Sequence, residues 1–117
     1  MNASTFGKAT DRRRRILEQA WVGDAVLCLY ARRRILRESG SVDGEKFERM
    51  TSNRFLAAFG EPSEVEAELG RLYESQGLEA AFAWIEQKLM PLFDRHEMKR
   101  QEEKKSNARK RSGGVSA

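Results

Sequence analysis

Residues 18–27 read EQAWVGDAVL, and this stretch decides the fold that the sequence predicts. Gly23 lowers helix stability, but it allows unusual backbone angles and the close approach of a second backbone. We therefore expect a tight junction at residues 21–23, with one helix ending near Ala20 and the next beginning at Asp24. Trp21, like most of the aromatic side chains, is expected in the core.

Outward from this stretch, apolar residues recur at helical spacing, and no segment alternates with the period of a strand. The pattern predicts an all-α fold. Asp43 is a candidate N-cap, and Ser63 with Glu66 has the spacing of a capping box. We expect about five helices, over residues 10–20, 24–38, 43–59, 63–75 and 78–96.

The chain divides into three predicted parts. Residues 1–10 are small and polar and are expected to be disordered. Residues 11–96 form one helical domain. Residues 97–117 lose the apolar periodicity and end in SGGVSA, so they predict a disordered basic C-terminal tail.

Composition excludes several classes of protein. With 117 residues, the chain is long enough for one domain. One cysteine and one histidine cannot build a zinc finger or a Ser-His-Asp hydrolase, so any catalysis must come from carboxylates. The apolar runs are too short for a membrane span, and the first residues do not resemble a secretory signal. We expect a cytoplasmic protein without a membrane partner.

The formal net charge of +4 hides a partition along the chain. Residues 1–40 carry nine Lys and Arg against four acids, residues 41–98 six against twelve, and residues 99–117 seven against two. Basic ends thus flank an acidic middle, which favours a phosphate-bearing partner at the ends and a divalent cation in the middle. The plainer interpretation is a solvated helical protein with a basic tail.

Three segments resemble the ribonuclease III family. EQAWVGDAVL is similar to the family signature, in which an apolar pair precedes Gly-Asp and an apolar helix. Residues 51–57, TSNRFLA, resemble the family's asparagine helix. Residues 65–73 and 77–81 resemble its second signature, the glutamate-alanine helix and the helix that follows it. The segments occur in family order and cover most of residues 13–94.

The resemblance implies an all-helical nuclease domain that dimerises and cleaves structured or double-stranded RNA in RNA processing. It implies Mg²⁺ held by carboxylates, with Mn²⁺ as a substitute. Asp24 matches the signature aspartate and Glu66 the second-signature glutamate, so these two are the expected catalytic and metal-binding residues. Glu64 is an additional candidate ligand.

The chain also departs from the family. Ala20, Leu17 and Ser63 stand where the family usually has acids. Two of these three acids belong to the usual four metal-binding carboxylates, so two of the four are absent. The helical stretch before the second signature is shortened. The short Mini-III branch of the family also has alanine at the position of Ala20. On the residues alone, Glu66 could merely close a capping box with Ser63, and Asp24 could merely favour the N-terminus of its helix.

Arginine runs on two predicted helices, together with the basic tail, predict contacts with RNA phosphates, which position a duplex without reading its sequence. The candidate RNA-binding residues are Arg12, Arg13, Arg14, Arg15, Arg32, Arg33, Arg34, Arg37, Lys104, Lys105, Arg109, Lys110 and Arg111.

Two alternatives remain open for function. One is a degenerate family member that binds RNA or a ribosomal particle without cutting it. The other is a protein-interaction adaptor that uses the acidic middle. A homodimer is expected, because a domain this short leaves an apolar face uncovered and the resemblance implies that such a face is buried by two-fold pairing.

Overall fold

The computed structural model describes the backbone of residues 3–115 and the side chains of residues 10–111, and within them it is all-helical. Residues 78–115 form a continuous helical rod that contains one π-helical turn. The elements are α1 (Ala3–Ser39), α2 (Gly44–Thr51), α3 (Asn53–Leu56), α4 (Pro62–Gln76), α5 (Leu78–Trp84), the π-helical turn (Ile85–Leu89) and α6 (Met90–Val115).

The predicted junction at residues 21–23 is wrong, because α1 runs without a break through Gly23. Gly23 allows another helix to pack closely against α1, and it does not form a turn. A glycine inside a helix costs about 1 kcal/mol relative to alanine, and the contact it permits can offset this. Trp21 is 78% exposed instead of buried, because the unbroken helix turns it away from the core.

Within residues 3–115 the fold has four helices of two turns or more, when the α5–α6 rod is counted as one, instead of the five that the sequence predicts. The first two predicted helices are joined in α1, and the third is divided at Ser52, which leaves α3 as a single turn. Asp43 caps α2 as expected, since its side chain accepts a hydrogen bond from the Lys46 amide. Ser52 caps α3 in the same way, by accepting from the Phe55 amide.

The capping box predicted for α4 is also wrong. The helix begins at Pro62, and Glu61 is its N-cap, with a side chain that accepts a hydrogen bond from the Glu64 amide at 3.0 Å. Proline suits the first helical turn because it lacks the amide hydrogen that would stay unpaired there. This places Ser63 inside the helix and leaves Glu66 without a capping role.

The disorder predicted at both ends is not confirmed. Helix α1 begins at Ala3, and α6 continues to Val115. Residues 97–111 contain many good helix formers, among them glutamine, glutamate, lysine, arginine and alanine, so the loss of apolar periodicity does not end the helix. Residues 1, 2, 116 and 117, which also fall in the predicted disordered segments, lie outside the described residues.

The core lies between α1, the short helices, α4 and the α5–α6 rod. Tyr30 of α1 packs edge-on against Phe82, at 5.3 Å between ring centroids. Arg34, one turn later, donates hydrogen bonds to Asp94 on α6 and to Glu38. The largest fully buried side chains are Leu27, Met50, Leu56, Leu69, Ile85, Leu89 and Phe93.

Candidate functional site

Helices α1 and α4 cross with their backbones in contact. A Cβ atom on Gly23 would overlap the carbonyl oxygen of Glu66, and a Cβ atom on Gly70 would overlap the carbonyl oxygen of Gln19. Because neither glycine has a side chain, the backbones of the two helices can approach to contact at both positions. Beside this crossing, Arg71 donates a hydrogen bond to the Gln19 side chain at 3.2 Å.

The crossing brings the carboxyl groups of Asp24 and Glu66 together. Asp24 follows Gly23 on α1, and Glu66 is the α4 residue whose carbonyl lies against that glycine. Both side chains are half-buried, and the Asp24 carboxyl lies near enough to that of Glu66 to raise its pKa. Two acidic groups from different helices thus meet at one place, and they are the two that the resemblance selects as metal-binding residues.

Burial and the neighbouring acid change the protonation of this pair. Desolvation, followed by the hydrogen bond and charge of Asp24 and the charge of Glu61, raises the pKa of Glu66 to about 8. A neutral Glu66 carboxyl donates a hydrogen bond to Asp24, whereas two charged carboxylates would repel each other. A divalent cation between them would remove this repulsion and displace the proton.

Cys28 is a member of the site that the sequence did not select. It lies one turn after Asp24 and is half-buried, and its thiol donates a hydrogen bond to Asp24 Oδ1 at 3.8 Å. Burial and the Asp24 charge raise the pKa of this thiol, so it stays protonated and can act as a donor. The signal was present in the four-residue spacing from Asp24, which places both on one helix face.

Glu64 lies apart from the pair. It is exposed and lines a groove with Arg12, Arg13 and Glu61. Consecutive helical residues are about 100° apart, so a two-residue offset turns Glu64 away from Glu66. Within residues 10–111, no group of three or more His, Cys, Asp or Glu side chains is arranged to hold a metal ion.

The predicted RNA-binding arginines of α1 differ in their solvent exposure and in their ion pairs. Arg34 is 13% exposed at its side chain and is held by Asp94 at 2.6 Å and Glu38 at 3.1 Å. Arg14 has weaker ion pairs with Asp11 and Glu18 and remains well exposed. The other candidates on α1 are exposed, namely Arg12, Arg13, Arg15, Arg32, Arg33 and Arg37.

Two of the exposed arginines lie over aromatic rings. The guanidinium of Arg32 lies 5.0 Å from the centroid of Phe47, and that of Arg33 lies 5.8 Å from the centroid of Phe82. Such contacts fix the direction of a side chain without neutralising its charge. The predicted RNA-binding residues of the tail, Lys104, Lys105, Arg109, Lys110 and Arg111, are all exposed on α6.

No family model, curated protein or solved structure matches this chain. Within the described residues, no helix combines the length and apolar character that crossing a bilayer requires. The functional interpretation therefore depends on the residues and their arrangement.

Proposed function

We propose that this protein is a small ribonuclease III-like endoribonuclease that cleaves structured or double-stranded RNA with a divalent metal ion. The observation that carries the proposal is the meeting of Asp24 and Glu66 at the contact between Gly23 and Gly70. These are the two acids that the resemblance to the family selects. The alternative role for Glu66, a capping box, has lost its support because Glu61 caps α4.

The donor set fits magnesium. Carboxylate oxygens are the ligands that Mg²⁺ prefers, and the ion often keeps several waters while one or two carboxylates and substrate phosphates complete its shell. Bound there, Mg²⁺ or Mn²⁺ would supply a polarised phosphate and an activated water. Asp24 and Glu66 would hold the ion, and Cys28 would orient Asp24 through its hydrogen bond.

The exposed arginines of α1 support a role in holding RNA. They belong to the helix that carries Asp24, so phosphates bound to them would lie on the same element as the carboxylate pair. We leave Arg34 out of this contact because Asp94 and Glu38 already neutralise it.

We also propose a homodimer, because α1 carries an apolar stripe on its exposed side. Leu17, Trp21, Leu29 and Leu36 are separated by four, eight and seven residues, which is helical spacing, and each is more than a third exposed. A second copy of this chain would bury the stripe.

Sedimentation tests the dimer directly. Wild type should be a dimer at micromolar concentration, and Trp21→Lys should be a monomer, since a cation would be buried between the copies. Val42→Lys is a matched control because Val42 is also apolar and exposed but lies in the link between α1 and α2. A monomeric wild type would contradict both the dimer and double-strand cleavage.

Incubation of the purified protein with double-stranded RNA, with and without Mg²⁺, tests the activity. Wild type should cut only with the metal, and Asp24→Asn and Glu66→Gln should each nearly abolish cutting while RNA affinity stays the same. Glu64→Gln, which removes an exposed charge from the same helix, should remain active.

The same assay separates the alternatives. RNA binding without cleavage would favour the degenerate family member. Failure to bind RNA at low salt would favour the adaptor. An active protein that tolerates Asp24→Asn would contradict the assignment of the site.

A further inference from the structure

The end of α6 presents an exposed basic helix. We call residues 99–111 the arm. Each of them except Arg100, which is half-buried, is exposed. The arm carries seven Lys and Arg residues and two glutamates, and its only apolar side chain is that of Ala108.

Within residues 10–111 the cations of the arm form no ion pairs, unlike several elsewhere in the fold, although Arg100 interacts electrostatically with Glu97. Arg49 is held by Glu97 at 2.9 Å, and Arg34 by Asp94. Among the side chains of residues 10–111, no carboxylate lies within 4.0 Å of a basic group of the arm. In addition, Nε of Arg100 is shielded from solvent and has no hydrogen-bond partner in this part of the chain.

Five of the seven cations lie on two sides of the helix, and Lys99 and Lys110 lie between these sides, about 80–100° from Arg100. Arg100, Lys104 and Arg111 are four and seven residues apart, so they lie within about 40° of one another around the axis. Lys105 and Arg109 lie on the opposite side, at least about 100° from Lys104. We call the first group the arm face.

A shallow hollow follows the arm face. It is lined by Lys104, Asn107, Ala108 and Arg111. The arm face extends for about 16 Å along the helix, given a rise of about 1.5 Å per residue. A linear partner could therefore contact all three cations at once.

The chemistry of the arm identifies the kind of partner. A helix that inserts into a membrane surface needs an apolar face, and a helix that docks on a protein groove needs apolar anchors at helical spacing. The arm has neither. A row of cations without apolar residues fits a partner that is recognised by negative charge alone, which is the property of a phosphate backbone.

We propose that the arm face, Arg100–Lys104–Arg111, lies along the phosphate backbone of bound RNA, while Lys105 and Arg109 face solvent. The proposal builds on the proposed RNA-binding function. It adds that the arm acts as a helix with one binding side, not as a diffuse basic tail. The like charges at Arg100 and Lys104 repel each other at four-residue spacing, so phosphate contact would also stabilise this part of the helix.

Two double variants test which side binds. Lys104→Ala with Arg111→Ala removes two charges from the arm face, and Lys105→Ala with Arg109→Ala removes two from the other side. Both leave alanine, the best helix former, so the helix itself is favoured equally. The affinity for one double-stranded RNA is measured by fluorescence anisotropy at several salt concentrations.

Each phosphate contact contributes about 0.9 to the slope of log affinity against log salt concentration. The arm-face variant should therefore reduce the magnitude of the slope by about 1.8, and the other variant by less than about 0.5. Equal reductions in the two variants would overturn the sidedness and leave the proposed RNA-binding function intact. Absence of RNA binding by wild type at low salt would overturn both.

Vesicles containing phosphatidylserine, tested in parallel, are expected not to distinguish the arm-face variant from the other variant, which has lost the same number of charges. Loss of vesicle binding in the arm-face variant with unchanged RNA affinity would show that the arm binds a membrane surface and would contradict the proposal.

Discussion

At the α1–α4 crossing, two carboxyl groups from different helices lie together in a half-buried place, whereas on the arm seven cations lie without a carboxylate within 4.0 Å among residues 10–111. The position of Asp24 relative to Glu66 depends on contact between two backbones. The position of the arm face depends on helical periodicity alone. A site that holds two acids close needs tertiary packing to keep them there, and a surface recognised by charge does not.

Adding one methyl group, by a glycine-to-alanine substitution, should lower the free energy of unfolding most at the α1–α4 crossing. In Gly23→Ala, the new Cβ would overlap the Glu66 carbonyl, and a backbone atom cannot move aside as a flexible side chain can. We expect the free energy of unfolding to fall by about 3 kcal/mol, measured by urea denaturation.

Gly44→Ala is the matched control. It is also a glycine-to-alanine change in a helix, but a Cβ there meets nothing within 4 Å. Its free energy of unfolding should stay within about 0.5 kcal/mol of wild type. Similar values for the two variants would contradict backbone contact at the crossing.

The carboxyl pair should make stability depend on pH. The pKa of Glu66 is about 8 in the folded chain, against an ordinary value of 4.5. Between these values the folded chain retains a proton that the unfolded chain has released, so the free energy of unfolding should fall as pH rises from about 5 to 8. Because the pair is only half-buried, solvent will weaken the effect.

Urea denaturation at pH 5 and pH 8 measures this slope, and Glu66→Gln should remove the part that Glu66 causes. Glu64→Gln should keep the full slope. If Glu66→Gln and wild type lose stability equally between the two pH values, the paired arrangement of the acids is wrong.

A smaller effect is expected at the start of α4. Glu61→Ala removes the side chain that accepts from the Glu64 amide and should lower the free energy of unfolding by roughly 0.5–1 kcal/mol. Ser63→Ala should stay within about 0.5 kcal/mol of wild type, because Ser63 lies inside the helix. A larger loss for Ser63→Ala than for Glu61→Ala would restore the capping box.

The smallest effect on stability is expected for deletion of residues 99–117. The arm adds no residue to the core, so thermal or urea denaturation should change by less than about 0.5 kcal/mol. RNA binding should weaken about equally for all duplexes. Its salt slope, which about five phosphate contacts would set at roughly −4 to −5 in wild type, should become shallower.

The all-helical fold was predictable because apolar residues repeat at helical spacing along much of residues 16–93. The meeting of Asp24 and Glu66 was also predictable, since Gly23 and Gly70 are small enough for their helices to touch. The continuity of α1 was not predictable. A glycine after Trp21 and Val22 is equally consistent with a turn and with a helix crossing, and only the partner helix distinguishes them.

The same limitation explains the other errors. Leu29 and Leu36 have the helical spacing to Val26 and Tyr30 that predicts an inward face, but both lie on the exposed side of α1. Ser63 has the spacing of a capping box, but the helix begins at Pro62, two residues earlier than a Ser63 cap would require, and its N-cap is Glu61. Local pattern predicts which residues can take a role, and tertiary contacts determine which of them does.

The central claim is that Asp24 and Glu66 form a metal site. It is tested most directly by Mn²⁺ binding, monitored through the loss of the electron paramagnetic resonance signal of the free ion. It reports on the carboxylate pair without requiring RNA or cleavage. Wild type at pH 8 should bind one ion per chain, Asp24→Asn and Glu66→Gln should each lose most of this binding, and Glu64→Gln should retain it. Equal binding by wild type and the Asp24 and Glu66 variants would contradict a metal site at the crossing of α1 and α4.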